Sequence, residues 1–495
     1  GGCWLISKRF DAKISVGVAF GLTMLCWLGV VAEQGIGSKW KPVTVWQEEH
    51  KAFDLHLGLF APPQGVGTYR VTFYQGLAEN QGSVPELMQK PDVYIFMLES
   101  TRSDAIRADV APFLTKFRDT ECQPFDGTWS ASNATHLSWF AFFHSRVPIF
   151  WREALEGIPD REQFAGATSL QQLKQAGYDI EVRAVCDFDY KDFGLSNFGY
   201  EKNLATVMDQ ARNGNELDQL NIGERERVSF ERLKQAAINR PDVGNGGGGF
   251  YYTALDSPHY NYYWHNDFDP PFKEYDKDTR FPLNPTKDEV QRVVNRYWNS
   301  VAWVDSKIEE FCDFLKAEGR YDNSIIIVTG DHGEEFQEQG SWFHCSSLRP
   351  EQTGVPILIK WPASMGRGPA RKDVNHIDVM PSLMHALGMP KDTIRGMAGR
   401  NLLEEEGEKT SISTTAFAGK SGETMVLRRG GYEAVFFWEQ YWESQVPSEL
   451  VLEYILGPDG SKVKLKDASA YADELRLRFP DAFERLFKSL EVIND

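Results

Sequence analysis

Cysteine is scarce in this chain: 495 residues carry six, Cys3, Cys26, Cys122, Cys186, Cys312 and Cys345. No two stand as Cys-x-x-Cys, which argues against a structural zinc knuckle. Spacing alone does not pair them, so buried free thiols and exported disulfides stay equally open. Basic residues are also in short supply. Lys and Arg number 53 against 71 Asp and Glu, a formal net charge of −18. Such a balance disfavours nucleic acid as a partner, because backbone phosphates call for a basic face. The glycine run 244–249 precedes a strand pattern and no Gly-Lys-Ser/Thr, so it is a loop and not a phosphate cradle.

Long hydrophobic runs are absent but for one. Ile14 to Ala32 carries no charge and, at about 1.5 Å per helical residue, spans roughly 28 Å, enough for a bilayer core. Lys8, Arg9 and Lys13 precede it and Glu33 follows. Positive charge stays on the cytoplasmic side, so residues 1–13 are predicted cytoplasmic, 14–32 a transmembrane helix and the rest exported to the periplasmic or extracellular side of the plasma membrane. A cleaved signal peptide ending at Val30-Val31-Ala32 is the rival, disfavoured by the length of the run. The opening Gly1-Gly2 has no initiator Met, which leaves room for further spans upstream.

Residues 33–90 read as a juxtamembrane linker with a short strand at Tyr69 to Tyr74. From Pro91 the pattern changes. Val93 to Leu98 is a short unbroken apolar run, as expected of a buried parallel strand, and similar runs recur at Phe250–Leu255, Ile325–Val328 and Val355–Ile359. Between them Asp288 to Glu318 repeats apolar residues every three or four positions, a helix. The region 187–249 shows no regular period. Alternating strands and helices predict an α/β domain over 91–400, its sheet mainly parallel and covered by helices on both faces. Hairpin signals after Arg400, among them Gly430-Gly431, predict a small antiparallel subdomain over 401–495, closed by a helix near Ala472 to Leu490.

Chemistry concentrates at strand ends. Ile325 to Val328 runs into Thr329-Gly330-Asp331-His332-Gly333, which places a carboxylate and an imidazole at the carboxyl edge where open α/β sheets bind ligands. Both side chains can hold a divalent metal, and Gly330 and Gly333 let the backbone turn sharply around them. An isolated Asp-His-Gly is as readily a polar turn. Glu99 ends the first strand on the same edge, although a Glu there often only caps the next helix. Asn133-Ala134-Thr135-His136 leads into the apolar stretch 137–143, so Thr135 stands near a helix N-terminus, where amides favour an anion; a plain N-cap threonine is the ordinary alternative.

Strand-Glu99, Asn133-Ala134-Thr135, Ser257-Pro258-His259, Asp331-His332-Gly333-Glu334-Glu335 and Phe343-His344-Cys345-Ser346 follow one another in order. This series resembles the sulfatase-like branch of the alkaline phosphatase superfamily, especially lipoteichoic acid synthases, phosphoethanolamine transferases and inner-membrane sulfatase-like proteins. The resemblance runs from about Pro91 to Gly388. It implies one divalent ion, manganese, magnesium or zinc, held by Glu99, Thr135, Asp331 and His332. It implies Thr135 as nucleophile, with His259 and His344 around the phosphoryl group. The implied activity is hydrolysis or transfer of phosphate mono- or diesters on membrane lipid head groups or envelope glycans. Sulfatases carry Cys/Ser-x-Pro-x-Arg at the nucleophile; here the chain reads Thr135-His136-Leu137, so a sulfate ester is the poorer substrate. A catalytically idle lipid-binding regulator on the same scaffold is the alternative from another class. Two-metal relatives need further ligands, which His376 and Asp378 offer, but one metal is preferred. His50, His56 and His144 read as solvated or packed, and His265 as a lesser candidate for the cleft.

Overall fold

The run Val93–Leu98 has no charged side chain and is buried along its whole length in the computed structural model of the protein. The structure describes residues 65–494 apart from 75–83, 88–89, 157–163, 186–187, 189–192, 200–203, 209–219, 241–247, 278–284, 405–406, 416–423 and 439–445. The expected membrane span at 14–32, Cys3, Cys26, Cys186, His50 and His56 lie outside the described residues. Among the described residues no helix is long and apolar enough to cross a membrane.

The first strands are β1 (Gly67–Phe73), β2 (Val93–Leu98), β3 (Asp179–Arg183), β4 (Thr206–Met208), β5 (Gly249–Leu255), β6 (Ile325–Gly330) and β7 (Ile357–Lys360). β2 to β7 make one sheet in the order β7-β6-β2-β5-β3-β4. All neighbours pair parallel except β7, which runs antiparallel to β6. The sheet is thus mixed and mainly parallel, as the sequence predicts.

Alternate side chains of β2 enter two different cores. Val93, Ile95 and Met97 pack with Trp139, Phe142 and Phe143, whereas Tyr94, Phe96 and Leu98 pack with Val301, Val304, Ile308 and Phe311. Each such side chain contributes about 1.5–3 kcal/mol by leaving water, so the central strand holds helices on both faces. The helices are α1 (Pro112–Thr120), α2 (Thr135–His144), α3 (Ile222–Asn239), α4 (Lys287–Ala317) and α5 (Ala468–Arg478). α4 begins where Thr286 and Glu289 cap each other's backbone and ends before Gly319, which takes the left-handed conformation at φ 67°. The stretch expected to be irregular contains α3. Its buried face includes Glu226 and Ser229 beside Phe230 and Leu233, so the apolar period is interrupted by polar residues that the fold buries.

A second sheet uses β8 (Ser411–Thr414), β9 (Met425–Arg429), β10 (Tyr432–Phe437), β11 (Glu449–Leu456) and β12 (Phe487–Asn494). Its order is β8-β9-β10-β11-β1-β12, antiparallel throughout. Gly430 and Gly431 take φ of 58° and 80° in the hairpin between β9 and β10, the double left-handed turn that suits paired strands. The chain does not close on one helix. α5 stops before Pro480, and Phe487 to Asn494 forms a strand. Proline removes a helical donor, and Phe487, Leu490 and Val492 join the core of the second sheet, pairing with β1. Among the described cysteines, Cys122 and Cys312 are buried free thiols, and Cys345, half-buried, donates to Asn133 O at 3.3 Å.

Candidate active site

The register of three neighbouring strands sets the site. Leu98 of β2 lies opposite Gly330 of β6 and Leu255 of β5. The next residue of each strand therefore emerges at one edge: Glu99, Asp331 and Asp256. Sequence reasoning passed over Asp256, whose place only the pairing reveals. Ser100 adopts a left-handed φ of 54°, a strained conformation for a residue with a side chain. That turn aims its amide at Asp331 Oδ1, 2.9 Å away.

Glu99, Asp331 and His332 offer ligand atoms that all lie within 4.8 Å of one another, and all three residues are buried. His332 Nε2 is 3.3 Å from Glu99 Oε1 and 3.5 Å from Asp331 Oδ2. Its Nδ1 meets Gly333 O at 3.0 Å; a carbonyl only accepts, so Nδ1 carries the proton and Nε2 faces the carboxylates. Asp331 Oδ1 accepts from the Ser100 and His332 amides, while the buried Oδ2 has no hydrogen-bond partner among the described residues. Burial and mutual charge shift the pKa values of all three groups, in different directions. Burial and the Glu99 charge push Asp331 well above the ordinary carboxylate range. Burial pushes Glu99 the same way, but His332 prevails and holds it well below. His332 is lowered by burial and raised more strongly by Asp331 and Glu99. The cluster favours a positive charge at its centre, which an orphaned carboxylate oxygen and an imidazole nitrogen can share. Two carboxylates and one imidazole suit manganese, magnesium or zinc.

Thr135 is the first residue of α2. The N-cap position is Ala134, and the helix has no side-chain cap. The Thr135 hydroxyl instead donates to Glu99 Oε1 at 3.2 Å and lies 3.3 Å from His332 Nε2. The ordinary capping role is therefore not the one this hydroxyl plays. The preceding loop is tied down on several sides: Ser130 Oγ donates to Asp331 O, and Asn133 Nδ2 donates to Ser347 O at 2.8 Å.

His344 brings a second imidazole, its ring 4.2 Å from that of His332 and 5.7 Å from that of His259. Glu334 Oε1 accepts from His344 Nδ1 at 3.1 Å, and Tyr262 donates to Glu334 Oε2 at 3.4 Å. Burial lowers His344, yet the Glu334 carboxylate outweighs it and raises the ring above its usual value. Left-handed φ values of 70° at Phe343 and 65° at Cys345 bracket this histidine. Glu334 stands in the Asp331–Glu335 motif, but its role as the support of His344 depends on a hairpin, Glu335–Phe336 with Trp342–Phe343, folding back. Gln352 is another residue that sequence reasoning missed. Its Oε1 accepts the Ser346 and Ser347 amides at 3.0 and 3.1 Å, and its Nε2 donates to Glu335 Oε2 at 2.8 Å.

Gly330 and Gly333 serve close approach rather than a sharp turn. A Cβ at Gly330 would lie 2.3 Å from Thr101 O, and one at Gly333 2.2 Å from Glu351 O. His376 supports the site from behind: its Nε2 meets Gly330 O at 2.8 Å, and burial pushes it down to about 4. Asp378 pairs with Arg400. Neither joins the cluster at Asp331. His265 stacks on Trp303, and His144 bonds Ser196 O and stacks on Phe140, so both are packed.

The family model described as Sulfatase matches residues 91–389. The chain belongs to the sulfatase family. It is 26% identical over 375 residues to lipoteichoic acid synthase from Staphylococcus aureus, covering 66% of this chain and 54% of that protein. It thus spans about half the length of this curated relative. Two solved structures share the fold. A phosphonate monoester hydrolase from Silicibacter pomeroyi superposes with a TM-score of 0.56 at 17% identity, over 78% of this chain and 94% of that one. A protein in the alkaline phosphatase superfamily from Vibrio parahaemolyticus does so at 0.52 and 15%, over 84% and 93%. This sulfatase-family protein has an alkaline phosphatase-like α/β fold and a buried acid–histidine triad whose side chains can bind a metal.

Proposed function

We propose that this sulfatase-family protein hydrolyses or transfers phosphate esters or diesters of membrane lipid head groups or envelope glycans, with Thr135 as nucleophile. The observation that carries the reading is the Thr135 hydroxyl, which leaves its helix uncapped and turns to Glu99 and His332. Glu99, Asp331, His332 and Thr135 would hold one divalent cation, whose charge makes the hydroxyl more acidic and balances charge on a phosphoryl oxygen. Thr135 Oγ1 forms a bond to phosphorus as its proton leaves toward Glu99. The bond from phosphorus to the leaving oxygen breaks, and that oxygen takes a proton from the His259–His344 pair, with Glu334 fixing the His344 ring. Water or an acceptor alcohol then attacks phosphorus and gives its proton back to the histidine pair, while the bond from phosphorus to Thr135 Oγ1 breaks and that oxygen takes its proton back from Glu99. A sulfate ester is the poorer substrate, since Thr135 occupies the place of an oxidisable Cys or Ser. The name of the Staphylococcus relative agrees with an envelope polymer as target.

Turnover of a chromogenic phosphodiester and of an aryl sulfate, with manganese, magnesium, zinc or a chelator, tests this. We expect metal-dependent phosphodiester turnover that falls at least about a thousandfold in Thr135→Ala. Faster sulfate than phosphodiester turnover would overturn the substrate class. A wild-type protein idle on both, yet bound to lipid vesicles, would favour the regulator. We further propose that 14–32 anchors the chain with the catalytic domain outside. Protease added to intact cells should then digest the domain, and protection would reverse the orientation.

A further inference from the structure

Glu226, on α3, is wholly buried, and among the described residues no basic side chain pairs with it. A carboxylate in such a place needs hydrogen-bond donors, and it has them. Oε1 accepts the Ser257 amide at 2.7 Å; Oε2 accepts the Ser257 hydroxyl at 2.6 Å and Trp303 Nε1 at 2.9 Å. One acid thereby ties α3 to α4 and to the turn that follows β5.

That turn carries His259. The His259 amide donates to Asp256 O at 2.9 Å, the Tyr263 amide to Ser257 O at 2.9 Å and the Tyr262 amide to His259 O at 2.6 Å. The turn is therefore wound around Ser257. A second contact presses α3 onto the same loop: a Cβ at Gly223 would lie 2.4 Å from Trp264 C and 2.4 Å from His265 N. Helix and loop meet at backbone distance one turn before Glu226. From Ser257 the next imidazole is His259, which faces His344 across 5.7 Å.

We propose that Glu226 is a positioning residue, whose buried carboxylate fixes the Ser257 turn so that His259 is presented to the phosphoryl group opposite His344. The proposal rests on the reading of His259 given above. Glu226→Gln keeps the shape but turns an amide NH2 onto a donor, either the Ser257 amide or Trp303 Nε1. The experiment measures kcat and KM on a chromogenic phosphodiester, bound metal and Tm, for Glu226→Gln, His259→Ala and the double variant. We expect Glu226→Gln to lower kcat about 10- to 100-fold with KM and bound metal near wild type, and to add less than about twofold once His259 is Ala. Losses that multiply in the double variant would show a general structural role and overturn the proposal. So would a Glu226→Gln kcat within about twofold of wild type while His259→Ala is impaired, and in that case the reading of His259 would stand. If His259→Ala turns over like wild type, that reading fails and the proposal falls with it. Should Glu226→Gln not fold, Ser257→Ala removes one donor only and should show a smaller loss with the same dependence on His259.

Discussion

Thr135 shows how a single hydroxyl can separate stability from chemistry. Since Ala134 holds the N-cap and the hydroxyl points to Glu99, Thr135→Ala loses no cap. We expect its Tm within a few degrees of wild type, while phosphodiester turnover is lost; Thr135→Ser should retain part of it. A large fall in Tm with turnover preserved would return this residue to a structural role. Gly333 behaves in the opposite way. A methyl group there meets Glu351 O at 2.2 Å, so Gly333→Ala should destabilise by about 1–3 kcal/mol and weaken metal retention, because His332 Nδ1 is held by the Gly333 carbonyl. Calorimetry with metal analysis checks this, and unchanged values would contradict it. Glu99, Asp331 and His332 are legible in sequence because each stands just past an apolar run that can only be a buried strand. Glu334, Asp256, Gln352 and Glu226 are not, because their partners come from distant segments that no local pattern connects.

At the scale of elements, α1 begins without a cap of its own. Asp305 of α4 supplies one from outside: Oδ1 accepts the Leu114 amide at 2.7 Å and Oδ2 the Phe113 amide at 3.1 Å. Burial lifts the Asp305 carboxyl from 3.8 to about 7, against the pull of those two amides. Folding therefore takes up a proton between these values. The stabilisation is complete below the unfolded value and is lost as the pH rises through about 7. Urea unfolding from pH 4 to 8 should show wild type losing stability relative to Asp305→Asn by up to about 1.4 kcal/mol per pH unit inside that window. Parallel curves would contradict it. The elements read well where a period is clean, as in α4, whose expected span 288–318 is found at 287–317. They read poorly where the fold buries charge in a helix, as in α3, or where Pro480 interrupts an amphipathic stretch that continues as a short helix, Ala482–Arg485, and then a strand.

For the whole molecule, the two sheets depend on each other. β8 backs the loop before Thr135: Ser413 Oγ donates to Ser130 O at 2.7 Å, and the Thr414 amide donates to Ala131 O at 2.9 Å. The second sheet in turn is completed by β1, which lies between β11 and β12. Pairs such as Tyr69 with Leu450 join opposite ends of the chain, which explains why the sequence shows β1 only as a short strand in a linker. A protein beginning at residue 91 keeps all of the family-matched region but loses that strand. We expect it to be insoluble or to melt at least about 10 °C lower than one beginning at 65, and equal Tm values would contradict the dependence. The central claim is a covalent step at Thr135, and acid quenching during turnover of a phosphodiester with manganese tests it most directly. Peptide mass spectrometry should find the phosphoryl group on Thr135 and no such adduct in Thr135→Ala. Steady turnover with the adduct on another residue, or with Thr135→Ala as active as wild type, would contradict the account.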